Sequence, residues 1–360
     1  MGETLKIGIV GSGMMGREHI RNLRLFDDVT VAALADPTET SIEGARRSAR
    51  NDELAGYETV QAMLAGPRLD AVIVSSPNHT HRAVLEPLLD AGVHILCEKP
   101  LCTTMKDARW AAARAASHGA VFWTGMEYRF MPPAAAFINQ VRKGRVGRLV
   151  MLSIREHRFP FLQKVDDWNR FNRNTGGTMV EKCCHFFDLM RLIIGAEPVR
   201  VFCSGAMDVN HLDERYDGEV PDIIDNSFTI IDFAGGQRAM LDLNMFAEGS
   251  KNQEEIVAVG DKAKLEVMIP DGDLTFSPRV GFLQPKQVQV EHVMVDERAL
   301  KAGSHHGATY YQLEAFLAAV RGEAEVMVSA EDGLRAVAMG VAAETSAREQ
   351  RVVEMAELGF

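Results

Sequence analysis

Cysteine is scarce in this chain of 360 residues: there are five, Cys97, Cys102, Cys183, Cys184 and Cys203. The number is odd and no C-x-x-C pair occurs, which argues against a disulfide framework and a structural zinc site and fits a reducing cytoplasm. Long apolar runs are missing too. Nothing approaches the roughly 18 residues that cross a bilayer, so no membrane partner is expected. The apolar segment Leu5–Val10 starts after four residues, which leaves no room for a secretory leader and again points to the cytoplasm. Positive charge is in deficit, with 39 Lys and Arg against 50 Asp and Glu and a net charge of −11. That balance argues against a nucleic-acid partner, because binding phosphates needs a basic surface. There is no internal repeat and no low-complexity segment.

What is present is the composition of an ordinary globular protein, 46% hydrophobic and 25% charged, long enough for two domains. The first third alternates strand and helix signals. Apolar runs at 5–10, 29–35, 70–76, 93–97 and 120–124 read as buried strands, with helical stretches at 15–26, 38–50, 80–91 and 103–118 between them. Strands apolar on both faces and separated by helices predict a doubly wound parallel sheet with helices packed on each side. After about residue 126 the texture changes. A helix near 132–143, a strand at 148–157 and a helix over 178–194 lead into strands at 198–208, 225–233, 237–246, 254–259, 263–269 and 287–295. Within 238–246 the residues Ala239, Leu241, Leu243 and Met245 alternate with Asp242 and Asn244, the mark of a half-buried strand. Helices near 308–321 and 331–348 close the chain. The expected architecture is a parallel α/β domain over 1–126 and an α+β domain over 127–360 with a largely antiparallel sheet.

The segment Gly11-Ser12-Gly13-Met14-Met15-Gly16 stands between a strand signal and a helix signal, the context its spacing requires. Gly11 permits the tight turn, Gly13 lets the backbone approach a pyrophosphate, and Gly16 allows close packing of helix on strand. The N–H groups of the helix start, from Met14 and Met15 onward, then face the phosphates. Asp36 ends the second strand twenty residues after Gly16, where its carboxylate can accept both ribose hydroxyls. Because an Asp there repels a 2′-phosphate, NAD is expected rather than NADP, with Arg46 and Arg47 the residues that speak for NADP.

Two further segments follow strands at the edge where such sheets bind ligands: Ser75-Ser76-Pro77-Asn78-His79-Thr80-His81 and Cys97-Glu98-Lys99-Pro100. With the glycine loop, Ala91-Gly92-Val93-His94, Gly176-Gly177, His185-Phe186-Phe187-Asp188 and Glu331-Asp332-Gly333-Leu334, they resemble the Gfo/Idh/MocA oxidoreductase family over nearly the whole chain. The resemblance implies a Rossmann domain followed by an open-faced α/β domain, with the active site between them. It implies that Ser76, Pro77, Asn78, His81, Glu98 and Lys99 border the cofactor, and that Lys99 lies near the reacting hydroxyl, with the Lys99-Pro100 bond often cis in relatives. It maps the acid–base pair onto Glu181 and His185. Glu181 stands where relatives commonly carry Asp, one methylene shorter. On a continuous helix the two would share a face.

Pocket-wall and substrate positions implied by the same resemblance are Tyr128, Arg129, Trp168, Asn172, His306 and Tyr310, beside Lys99, Glu181 and His185. No metal site is expected: Cys183, Cys184 and His185 diverge by about 100° per residue on a helix, and His305-His306 lacks further ligands. The expected reaction is NAD(H)-dependent oxidation of a secondary hydroxyl of a cyclitol, sugar or related polyol. An imidazole titrates near neutral pH and suits a base, with Lys99 stabilising the alkoxide; the inverse division, Lys99 as base, stands beside it. Two other readings are an NAD-dependent glycosidase with transient redox chemistry and a non-catalytic NAD-sensing regulator. An open sheet face that needs cover predicts oligomerisation, and the resemblance implies a homodimer or homotetramer.

Overall fold

The computed structural model describes residues 4–360. The chain folds into two compact units: the described residues up to Phe130 with Val295–Val337, and Met131–Met294 with Ala338–Phe360.

The first unit begins with β1 Leu5–Val10, α1 Met14–Leu23, β2 Val29–Ala35, α2 Glu39–Ala49, β3 Ala55–Tyr57, α3 Val60–Leu64, β4 Ala71–Val74, α4 His81–Ala91, β5 His94–Glu98, α5 Met105–Ala116 and β6 Phe122–Gly125. All strands pair in parallel, in the order β3-β2-β1-β4-β5-β6. The four residues of β4 are completely buried, which is why it reads as a continuous apolar run. The winding reverses between β1 and β4, so the carboxyl ends of β1, β4 and β5 lie side by side at the place where open α/β sheets hold ligands.

The second unit contains α6 Pro132–Arg142, β7 Leu149–His157, α7 Asn172–Thr175, α8 Thr178–Glu181, α9 Cys184–Ile194, β8 Pro198–Ala206, β9 Asn226–Phe233, β10 Arg238–Asn244, β11 Glu254–Gly260, β12 Ala263–Ile269, β13 Asp273–Pro278 and β14 Gln289–His292. After it come α10 Glu297–Ala302, α11 Ala308–Val320, α12 Ala330–Glu349 and β15 Val353–Glu354. Nine strands form one sheet, β14-β13-β12-β11-β7-β10-β9-β8-β15. It is antiparallel except for β7 and β10. Side chains alternate across it: Ala263, Leu265, Val267 and Ile269 of β12 face inward, with Lys264, Glu266 and Met268 between them. Helices α6 and α9 pack on the sheet, while Met151, Phe202, Phe228, Ile230, Met240 and Val259 are exposed on its other face.

The returning segment completes the first unit. Helix α11 packs on α1, and Phe316 meets the buried Trp123 edge-on at 6.1 Å between ring centroids. Three features differ from the sequence-based expectation. Strands β3, β13 and β15 and helices α3, α7 and α10 are additional. The second sheet holds one parallel pair. The helix expected over 178–194 is two helices broken at Lys182 and Cys183, where the Cys183 N–H reaches back to the Thr178 carbonyl at 3.1 Å.

Candidate active site

The glycine loop lies between β1 and α1. Gly11 sits at φ +88°, and a Cβ on it would come within 2.5 Å of the Ser76 nitrogen, so no other residue fits there without strain. A Cβ on Gly16 would strike the Gly11 carbonyl, whereas one on Gly13 would meet nothing within 4 Å. Gly11 and Gly16 therefore close the turn on the sheet, and Gly13 leaves the open approach a pyrophosphate needs. Met14, 42% exposed, and Met15 occupy the first turn of α1. Asp36 follows β2 and turns its carboxylate toward the loop, accepting the Ser12 N–H at 2.7 Å and the Thr38 N–H at 2.9 Å. Of the two arginines that might have read a 2′-phosphate, Arg46 is engaged by the Leu54 carbonyl and Glu39, and Arg47 lies 3.9 Å from Glu43. This cradle fits a dinucleotide.

Beyond β4, the Ser76 hydroxyl accepts from Thr80 at 2.8 Å. Asn78, buried within a 3-10 turn after Pro77, has an amide nitrogen without a hydrogen-bond partner. His81 is fully buried, with Nδ1 2.9 Å from the Pro100 carbonyl and Nε2 3.1 Å from that of Ser76. Burial pushes its imidazole below the usual range. It joins the turn after β4 to the turn after β5 and offers no surface of its own.

At the end of β5, Glu98 is buried and bonded on both oxygens. The His19 Nε2–H donates to one at 2.7 Å and the Lys99 backbone N–H to the other at 3.2 Å. Burial alone would raise this carboxyl, but the His19 hydrogen bond and the charges of His19 and Lys99 bring it below the usual range. The pair links α1 directly to the backbone of Lys99. Lys99–Pro100 is cis.

Behind these residues lies a cluster that the sequence did not disclose. Glu18 accepts from His305 Nδ1 at 2.8 Å and from the Ser304 hydroxyl at 3.1 Å. The Thr309 hydroxyl lies 3.0 Å from Glu18 and 2.7 Å from Glu127. Burial would raise Glu18, yet the His305 bond and charge and the Thr309 bond carry it down to about 2. Burial, then the nearby Glu98 and Glu18, raises Glu127 despite His305. One hydroxyl has one proton to give. The Thr309 hydroxyl thus stands between the two carboxyl groups, and its single proton can serve one of them at a time.

Tyr128 and Arg129 lie on the 3-10 turn Glu127–Phe130, both buried. The Arg129 guanidinium donates to the Met327 carbonyl at 2.8 Å and stands 3.4 Å from Asp332. Tyr310 stacks on Phe26 at 5.0 Å. Arg129 and Tyr310 thus make packing contacts within the first unit. His306 precedes α11 at φ +52° and is half-buried.

In the second unit Glu181 ends α8 and His185 lies in the first turn of α9, 3% and 2% exposed. The helix break removes the premise that they stack as i and i+4 of one helix. Glu181 instead accepts from Lys164 Nζ at 3.2 Å, and that ammonium sits 4.5 Å over the half-buried Trp168 ring. Asn172, also half-buried, donates its backbone N–H to Asp222 at 2.7 Å. Just behind, Lys182 Nζ meets the buried Glu156 at 2.9 Å. Glu254, opposite Glu156 in the sheet, is pushed up to about 7 by burial and by the Glu156 charge. Among the described residues no group of three His, Cys, Asp or Glu could hold a metal ion, and no helix is long and apolar enough to cross a membrane.

Comparison with known proteins agrees with this description. A family model described as "Oxidoreductase family, NAD-binding Rossmann fold" matches residues 5–126, and one described as "Oxidoreductase family, C-terminal alpha/beta domain" matches 138–355. The chain is 27% identical to inositol 2-dehydrogenase of Rhizobium meliloti (strain 1021), over 98% of this chain and 100% of that one. It is 25% identical to myo-inositol 2-dehydrogenase of Thermotoga maritima, over 98% and 99% of the two chains. The crystal structure of a probable dehydrogenase from Thermotoga maritima superposes with a TM-score of 0.78 at 25% identity, covering 98% of this chain and 100% of that one.

Proposed function

This chain belongs to the Gfo/Idh/MocA oxidoreductase family, and from that premise we propose an NAD-dependent dehydrogenase that oxidises a secondary hydroxyl of a cyclitol, sugar or related polyol. The observation that carries the reading is the meeting of three segments at one sheet edge. The Gly11–Gly16 loop, the Ser76–Asn78 turn and Lys99 follow β1, β4 and β5, which are neighbours in the sheet. The substrate class follows from relatives named inositol 2-dehydrogenases.

When bound, NAD supplies a hydride acceptor. The chain must hold it and move one proton. Backbone N–H groups at Gly13–Gly16, with Met14 and Met15 in the first turn, take the pyrophosphate. Asp36 takes the ribose diol, and Ser76, Pro77 and Asn78 border the reactive end. His81 and Glu98 act one layer back, fixing the backbone on either side of Lys99. Lys99 donates to the substrate oxygen and stabilises the developing alkoxide. His185 accepts the hydroxyl proton, and Glu181, held by Lys164, orients or relays. Trp168, Asn172, His306, Tyr128, Arg129 and Tyr310 are proposed substrate contacts. Five buried cysteines outside any disulfide support a reducing cytoplasm. The exposed apolar side chains of the second sheet support a homodimer or homotetramer.

A panel of inositols, aldoses and glycosides followed at 340 nm tests the reaction. NADH formation with a polyol is the expected result. Free sugar released from a glycoside without net NADH would overturn the reading. Lys99→Ala and His185→Ala are each expected to lower kcat by at least about a hundredfold with NADH affinity nearly unchanged. A variant retaining most of its turnover removes that residue from the mechanism.

A further inference from the structure

Glu181 and His185 are delivered by a turn, Gly176-Gly177, followed by two short helices. Four residues of α8 cannot hold themselves in place by helix formation alone. Something must grip the turn from outside, and the last long helix does. On α12, Gly340 and Glu344 are one turn apart and share a face. Where that face crosses α8, Gly340 has no side chain. A Cβ there would stand 2.7 Å from the Met179 carbonyl oxygen and 2.9 Å from the Val180 Cα. One turn on, Glu344 Oε1 accepts the Met179 backbone N–H at 2.9 Å.

The same carboxylate occupies the space a side chain on Gly177 would need, and Gly177 sits at φ +93°. In this first turn the Val180 and Glu181 N–H groups both bond to the Gly177 carbonyl, at 3.1 and 2.8 Å. Met179 is the one of the three whose N–H is taken by a side chain, as an unsatisfied helix start requires. The Thr178 hydroxyl pins the other side on the Ile224 carbonyl at 2.6 Å.

We propose that Glu344 is a positioning residue for the reaction: its carboxylate clamps the Gly176-Gly177 turn through the Met179 N–H and so fixes where Glu181 and His185 are presented. Its link to turnover rests on the dehydrogenase reading above; its link to the geometry of the turn does not. Burial, with the Asp222 charge, pushes the carboxyl up to about 7 against the Met179 bond and Arg348. An acceptor oxygen is present in either protonation state, so a neutral amide can replace it.

The test uses the full chain with NADH and three variants, Glu344→Ala, Glu344→Asp and Glu344→Gln. Amide exchange at Met179 and the ring titration of His185 in histidine-labelled protein are followed by NMR. Glu344→Ala is expected to speed Met179 exchange at least about tenfold and to shift the His185 titration, with NADH affinity within about twofold of the parent. Glu344→Asp withdraws the acceptor by one methylene and is expected to shift both in the same direction, which decides the matter if the alanine variant does not fold. Glu344→Gln keeps the acceptor and is expected to match the parent. With a turned-over polyol, Glu344→Ala is expected to lose about ten- to a hundredfold in kcat with little change in KM. Parent-like exchange and titration in Glu344→Asp, or damage in Glu344→Gln equal to that in Glu344→Ala, would overturn the proposal. Both NMR readouts stand even if no polyol on the panel is oxidised.

Discussion

Glu18 shows how much one side chain can organise. Its carboxylate holds Ser304, His305 and Thr309, and through them the start of α11, onto α1. Its carboxyl lies at about 2, against an ordinary 4.5. A carboxylate depressed on folding stabilises above its unfolded value and loses that contribution as pH falls toward the folded one. The first unit should therefore lose about 3 kcal/mol between pH of about 4.5 and 2 through this group alone. Denaturant titrations across that range are expected to show the acid limb in the parent and a much flatter one in Glu18→Gln. Parallel limbs would refute the assignment. Nothing in the sequence foretold this cluster, because its members are 286 and 287 residues apart. The same holds for His19 with Glu98 and for Met179 with Glu344, 79 and 165 residues apart. The legible residues were those whose meaning is local: Gly11, Gly13, Gly16 and Asp36, which a strand–loop–helix context interprets; Lys99 was singled out only by the resemblance that Glu98-Lys99-Pro100 carries.

The elements were legible in proportion to their length. Strands β1 and β2 have the bounds their apolar runs suggest, because each ends in consecutive buried residues, Ile7–Val10 and Ala33–Ala35, that leave no polar gap. Strand β3 has three residues and α3 five, too few to display a period. The break in the helix expected over 178–194 was hidden for the opposite reason. Its residues are nearly all buried, so an apolar run masks the turn at which Cys183 reaches back to Thr178. The glycine loop gives the sharpest prediction for an element. Gly11→Ala places a Cβ against the Ser75 and Ser76 backbone at a left-handed φ. It is expected to destabilise by at least about 1 kcal/mol and to weaken NADH binding at least about tenfold. Parent-like fluorescence titration with NADH would contradict the role given to this turn.

For the whole molecule, the nine-stranded sheet leaves Phe228 60% and Ile230 50% exposed on one face, beside Phe202 and Met240 in register. If this face joins copies of the chain, the parent sediments as a dimer or tetramer, and Ile230→Lys shifts it toward monomer without unfolding it. A monomeric parent at micromolar concentration would end that reading. The two sheets themselves were legible from period and texture.

The return of Val295–Val337 to the first unit was not, since its helices look like any others. That return bears on how the protein is made. Trp123 emerges from a ribosome well before Phe316, its partner in the core, and Thr124 before Val328 and Ser329, whose carbonyls it bonds. Vectorial synthesis lets an N-terminal domain fold first only when its own chain is complete. Here the dinucleotide-binding half must wait, with an unfinished core, until all but the last few turns of the polypeptide have been translated. A nascent chain stalled near residue 294 would be a better client for chaperones than for NAD.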